Sequence, residues 1–237
     1  MAAVPVITID GPSGSGKGTI SRRLAQQLGW HFLDSGALYR LVGLGSARHG
    51  IANSDENKIA DYARRLDVRF VAGHPDEEPM IYLENQEVTN ELRTETTGEL
   101  ASQVAAIPAV REALLERQRH FRQAPGLVAD GRDMGTTVFP QANLKIFLTA
   151  SAEVRAQRRY KQLKQKGNSV SLSALVHDIN QRDARDSSRS VSPLVPAPDA
   201  VIVDTSEMDI ALVMQRVQDL VRQAMPDITL GGLRAEH

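Results

Sequence analysis

The chain has 237 residues, with 28 Lys and Arg against 29 Asp and Glu, a formal net charge of −1. That balance gives no global field for a polyanion, and 4% aromatic residues make a poor base-stacking surface, so no nucleic-acid partner is expected. Cysteine is absent, which removes disulfides, thiolate nucleophiles and thiolate-bound metals and suits a reducing compartment.

Val6-Ile7-Thr8-Ile9 is an apolar, β-branched run that ends at Asp10-Gly11. A helical pattern follows, with Ile20, Leu24 and Leu28 at one-turn spacing and Gly29 in the stop position. Trp30 to Leu33 predicts a second strand, ending at Asp34-Ser35-Gly36. Leu66 to Phe70 alternates, and Met80 to Glu84 with Val88-Thr89 predicts a hairpin around Asn85-Gln86, with Gly73-His74-Pro75 as punctuation between them. Residues 62–100 therefore read as a small antiparallel insertion. A helix follows from Pro108 to Phe121, with Val110, Leu114, Leu115 and Gln118 on one face.

Leu127 to Ala129 before Asp130-Gly131, Leu144 to Leu148, and Ala200 to Val203 before Asp204 predict three more strands. Near-continuous apolar strands alternating with helices imply an α/β fold, with a five-stranded parallel sheet covered by helices on both faces. The polar end with Gly231-Gly232 predicts a frayed tail over residues 225–237. No run approaches the ~18 apolar residues of a membrane span. Met1 to Pro5 lacks the basic start of a secretory signal, so a cytoplasmic location without membrane contact is expected.

Charge is distributed unevenly. Residues 151–190 hold six Arg and three Lys against one Glu and three Asp, net +5, whereas residues 76–91 carry six acids and no base. A basic segment in a slightly acidic chain fits an anionic ligand held locally, or simply a solvated helix.

Gly11-Pro12-Ser13-Gly14-Ser15-Gly16-Lys17-Gly18-Thr19 has the spacing G-x-x-x-x-G-K, placed after a strand and opening a helix. Glycines let backbone N–H groups approach phosphate closely. The helix N-terminus adds positive dipole, and Lys17 adds a point charge for the terminal phosphates of ATP. The general motif places Ser or Thr directly after the lysine, but here Gly18 intervenes before Thr19. Thr19 either ligates Mg²⁺ or bonds a phosphate. Asp130, ending an apolar strand, is a candidate Mg²⁺ ligand, through water or not, or else a loop cap. Asn57-Lys58 continues as Ile-Ala, so the N-K-x-D signature of GTPases is missing.

Asp34-Ser35-Gly36 with Tyr39-Arg40, Ala101 to Ala105, Ala129 to Thr136, the cluster Arg182, Asp183, Arg185, Asp186 and Arg189, and Pro193 to Pro196 together resemble bacterial-type cytidylate kinases. The resemblance implies a P-loop kinase core (1–61 and 101–237), a monophosphate-binding insert (62–100) and a helical lid (152–190). It implies ATP and CMP or dCMP as substrates, Mg²⁺ as cofactor, and a monomer is expected. By the same resemblance, Ser102, Arg111 and Asp133 read cytosine, and Arg40, Arg132 and Arg189 hold the acceptor phosphate. Arg182 and Asp186 lie near the ribose, and Ser35 contacts the same nucleotide. Lys17, Arg132, Arg182 and Arg189 act at the transferring phosphoryl group, and Arg155, Arg158 and Arg159 meet the ATP phosphates. The alternative is a kinase of the same fold acting on UMP, AMP or shikimate. None of the six histidines has metal-ligand spacing.

Overall fold

Five short apolar runs with no polar face must be covered on both sides, and a parallel sheet does this. The computed structural model describes residues 3–71, 79–165 and 170–231. Strands β1 (Val6–Asp10), β2 (His31–Asp34), β6 (Leu127–Gly131), β7 (Leu144–Thr149) and β8 (Val201–Asp204) form one parallel sheet in the order β2-β6-β1-β7-β8. β1 and β6 are buried along their whole length, while the edge strands β2 and β8 are only partly buried. The chain leaves β1 towards β2 on one side and later crosses from β6 to β7 on the other. The carboxyl end of β1 therefore sits at the point where the order reverses, the place where open sheets of this kind bind ligands.

The chain divides into two compact parts, Met1–Asp34 with Gln118–His237, and Ser35–Arg117. The first contains the five-stranded sheet flanked by helices. On one face α1 (Lys17–Leu28) and α8 (Ile210–Ala224) bury Ile20, Leu24, Val213, Val217 and Val221 against Ile7, Ile9, Ile146 and Leu148. Helices α6 (Ala152–Gln165) and α7 (Leu172–Ser187) belong to the same part. The tail expected to fray from residue 225 instead stays packed as far as Gly231. Met225 is buried, Ile228 and Leu230 lie on the same core, and the Gly231 N–H donates to Gln27 O at 3.0 Å. The apolar spacing of those three side chains outweighs the polar end.

The second part holds α2 (Ser35–Arg48), α3 (Glu56–Arg64), a 3-10 turn at Glu91–Arg93, α4 (Glu95–Val104), α5 (Pro108–Arg119) as far as Arg117, and an antiparallel sheet of β3 (Val68–Val71), β4 (Met80–Leu83) and β5 (Gln86–Glu87). α2 and α4 cross closely: a Cβ on Gly43 would lie 2.9 Å from Leu100 Cβ. The hairpin turn falls at Glu84-Asn85, one residue earlier than expected, and its return strand is Gln86–Glu87 rather than Val88-Thr89. Both turn residues have positive φ, 50° and 64°, as a two-residue turn between twisted strands demands. Glu84 is an unusual residue there, and its carboxylate is tethered by Tyr62 Oη (3.0 Å) and His49 Nε2 (2.9 Å). On α5, Arg111 rather than Leu115 shares the buried face with Val110 and Leu114. The punctuation at Gly73-His74-Pro75 lies outside the described residues. Among the described residues no helix is long and apolar enough to cross a membrane.

Candidate active site

The loop after β1 is built for close approach. A Cβ on Gly11 (φ 150°) would lie 2.0 Å from Leu148 O on the neighbouring strand, so only glycine fits. Gly14 and Gly16 also have positive φ, 79° and 90°. Helices α3, α4, α7 and α8 have side-chain N-caps from Asp55, Thr94, Ser171 and Asp209. α1 starts behind Gly16 with no side-chain cap and no acid in its first turn. Its first N–H groups are thus left for an anion.

Lys17 is buried and donates from Nζ to Pro12 O at 3.0 Å, so it lies along the loop. Burial pushes its ammonium down to about 7, with Arg132 and Arg182 adding repulsion and Asp130 and Asp34 opposing it. The Ser15 hydroxyl is buried, with no hydrogen-bond partner among the described residues.

Asp34 and Asp10 end β2 and β1, and Asp130 stands one residue before the end of β6 between them, in register with Asp34. Burial raises the Asp130 carboxyl to about 7, while Lys17 pulls it back. A Cβ on Gly18 would sit 3.2 Å from Asp130 Oδ2, which accounts for glycine where related motifs carry Ser or Thr. Asp10 had no assigned role in the sequence. Its two oxygens accept from Met134 N and Gly135 N, both at 2.8 Å. Burial raises it to about 6 even so, against the pull of those two hydrogen bonds. The acceptors fix the π-helical turn Met134–Val138, which follows buried Asp133.

The arginine cluster is organised around Asp186, which is almost fully buried. It accepts from Arg132 Nε at 3.1 Å and pairs with Arg189. Burial pushes its carboxyl up, but Arg132, Arg189 and Arg182 together outweigh that and hold it below its ordinary value. Arg132, Arg182 and Lys17 share one field, since both arginines depress the lysine. Arg155 and Arg158 have protein partners around the loop: Arg155 donates to Ser13 O and Ala150 O, and Arg158 to Thr205 and Met208 O. Arg159 is half-buried on α6, with Nη1 3.4 Å from Gln162 Oε1. Thr19 is half-buried in the first turn of α1.

Within the second part, Ser35 is buried at the start of α2, and Arg40 donates to Leu92 O at 2.7 Å and Thr94 O at 3.3 Å. Arg111 is only 7% exposed, donates to Ala105 O at 3.1 Å, and stands over the Tyr39 ring at 5.4 Å. The Ser102 hydroxyl is buried with no hydrogen-bond partner among the described residues. An unsatisfied buried hydroxyl costs ~1–3 kcal/mol, which a bound polar ligand would relieve. Tyr39 and Asp183 stand within the motifs quoted from the sequence but were given no role there, and neither was Asp10, directly before the glycine loop.

A glycine cradle at the switch point of a parallel sheet, an uncapped helix and a lysine beneath it define a P-loop nucleotide-binding protein. The chain belongs to the cytidylate kinase family, whose model matches residues 7–223. It is 58% identical over 214 residues to the cytidylate kinase of Pseudomonas entomophila, covering 90% of this chain and 94% of that protein. It is 56% identical over 219 residues to one from Pseudomonas putida (92% and 96%) and 58% over 215 residues to one from Pseudomonas aeruginosa (91% and 94%). Among solved structures, a shikimate kinase from Bacteroides thetaiotaomicron matches at 14% identity and a TM-score of 0.42, covering 92% of this chain and 98% of that one.

Proposed function

We propose that the protein transfers the γ-phosphoryl group of ATP to CMP or dCMP, giving ADP and CDP or dCDP. The observation that carries this reading is the pairing, in a chain of this family, of a glycine cradle over Lys17 with a cluster of Arg132 and Arg189 around buried Asp186.

The acceptor is a phosphate oxygen, already mostly ionised near pH 7 because the second pKa of a phosphate monoester is ~6, so no general base is needed. Catalysis is positioning and charge neutralisation. Lys17 takes the terminal phosphates of ATP, Arg40, Arg132 and Arg189 take the acceptor phosphate, and Arg182 stands at the transferring group. Asp186 holds Arg132 and Arg189 in place and meets the ribose, and Ser35 meets the same nucleotide. Cytosine pairs a 4-amino donor with N3 and O2 acceptors. Asp133 accepts from the amino group, and Arg111 and Ser102 donate to the acceptors. Uracil would set a carbonyl against Asp133.

Among the described residues no group of three His, Asp or Glu could cage a metal. The donor set fits a Mg²⁺ ion carried by the nucleotide, which Asp130 would hold directly or through water, with Thr19 either a further ligand or a phosphate partner, because Mg²⁺ keeps phosphate and water ligands. When bound, the ion neutralises charge on the β- and γ-phosphates. Residues 62–100 serve as the monophosphate insert and 152–190 as the lid, in a cytoplasmic monomer.

The test is ADP release with ATP and Mg²⁺, comparing CMP, dCMP, UMP, AMP and shikimate. Turnover with CMP and dCMP at least ~100-fold above UMP supports the reading. Preference for another acceptor overturns the assignment of the acceptor pocket.

A further inference from the structure

In a phosphate cradle the N–H groups turn inward, so the carbonyls must find partners outside. Here α6 and Thr205, directly after β8, supply them. Arg155 Nη1 donates to Ser13 O at 3.1 Å. The Thr205 hydroxyl lies 3.3 Å from Ser15 O, with Arg158 Nη1 behind it at 3.5 Å. Gly14 rests on Arg155 itself, where a Cβ would be 3.1 Å from the arginine Cβ.

Arg155 is in turn held from α7. Its Nη1 and Nη2 donate to Asp183 Oδ1 and Oδ2 at 3.1 and 2.5 Å, a two-pronged pair, while Nε donates to Ala150 O at 2.9 Å. The arginine side chain is 5% exposed and the aspartate 26%. A buried guanidinium needs a carboxylate partner to stay in place. Asp183 stands between Arg182 and Asp186, so the helix that carries the acceptor-side cluster also bonds the back of the donor-side cradle.

We infer that Asp183 is a positioning residue for the phosphoryl donor, acting through Arg155 to hold Ser13 O outward and so keep the cradle N–H groups aimed at the triphosphate. This rests on the reading of the cradle as the ATP site.

The experiment measures by calorimetry the affinities for a non-hydrolysable ATP analogue and, separately, for CMP, in the wild type, Asp183→Asn and Asp183→Glu. Asp183→Asn is expected to weaken the analogue tenfold or more, with CMP affinity within twofold, and Asp183→Glu to regain part of the loss. Unchanged affinity for the analogue, or equal losses for both ligands, overturns the inference. Arg155→Lys, which keeps the charge but loses the fork, must show the same split, and it decides the matter if Asp183→Asn fails to fold. A wild-type protein that binds the analogue but not CMP overturns the acceptor assignment instead, and the donor-side comparison still stands.

Discussion

Replacing Gly18 by Ala sets stability against activity at one atom. Gly18 is the second residue of α1 and is exposed. Alanine is favoured over glycine in a helix by up to about 1 kcal/mol. In a chain of this length that raises Tm by about 2–4 °C. The new methyl group would lie 3.2 Å from Asp130 Oδ2, a few tenths of an ångström inside ordinary contact. Asp130 is buried between strands, so its carboxylate has to tilt rather than swing away. Misplacing a catalytic group by ~1 Å costs on the order of 100-fold, so a smaller tilt costs about tenfold in kcat. Thermal unfolding and the ADP-release assay on the same preparation read both effects. Full activity in the variant would refute a positioned role for Asp130, and a lowered Tm would show that the contact outweighs helix propensity.

Lys17→Met is expected to abolish transfer while leaving Tm unchanged or higher, since a desolvated cation is removed. Because burial lowers Lys17 to about 7, it is largely neutral at pH 8 and regains its proton when a triphosphate arrives. Calorimetry of ATP binding in EDTA at pH 8 should therefore show about one proton taken up, absent in Lys17→Met. Asp133→Ala should raise the KM for CMP far more than that for ATP, and equal increases would displace the base pocket. Asp186→Asn removes a buried counter-ion from Arg132 and Arg189 and should cost about 3–5 kcal/mol in urea melts at pH 7. The folded carboxyl lies below its ordinary 3.8. Its contribution is thus complete above that value and is lost as pH falls through the depressed one, so the variant's deficit should stay constant down to about pH 4 and shrink only below it.

The sheet and the cradle were legible because their causes are local. Each strand is an apolar run ending at a polar residue, and the glycines of residues 11–16 sit where the backbone needs positive φ or close approach. What escaped detection depends on partners far apart in sequence. Glu84 is a poor turn former, yet it takes positive φ because His49 and Tyr62 hold its carboxylate. Arg111 looks like a solvated helix charge until the fold buries it over Tyr39. The basic run of α6 reads equally well as a ligand surface or a solvated face, and only the packing of α6 with α7 pairs Arg155 with Asp183. The tail from 225 looks polar by composition, but three apolar side chains return it to the core.

The two hydrogen bonds that Asp10 accepts from Met134 and Gly135 have a bearing on how this fold diversifies. They join the residue that opens the donor loop to a segment more than 120 positions later, the one that begins with Asp133. An acceptor loop transplanted from a kinase of different specificity would have to present two successive N–H groups at the same height above β1, or leave a buried carboxylate facing nothing. Substitutions of side chains within the segment leave both bonds available, because backbone N–H groups donate them.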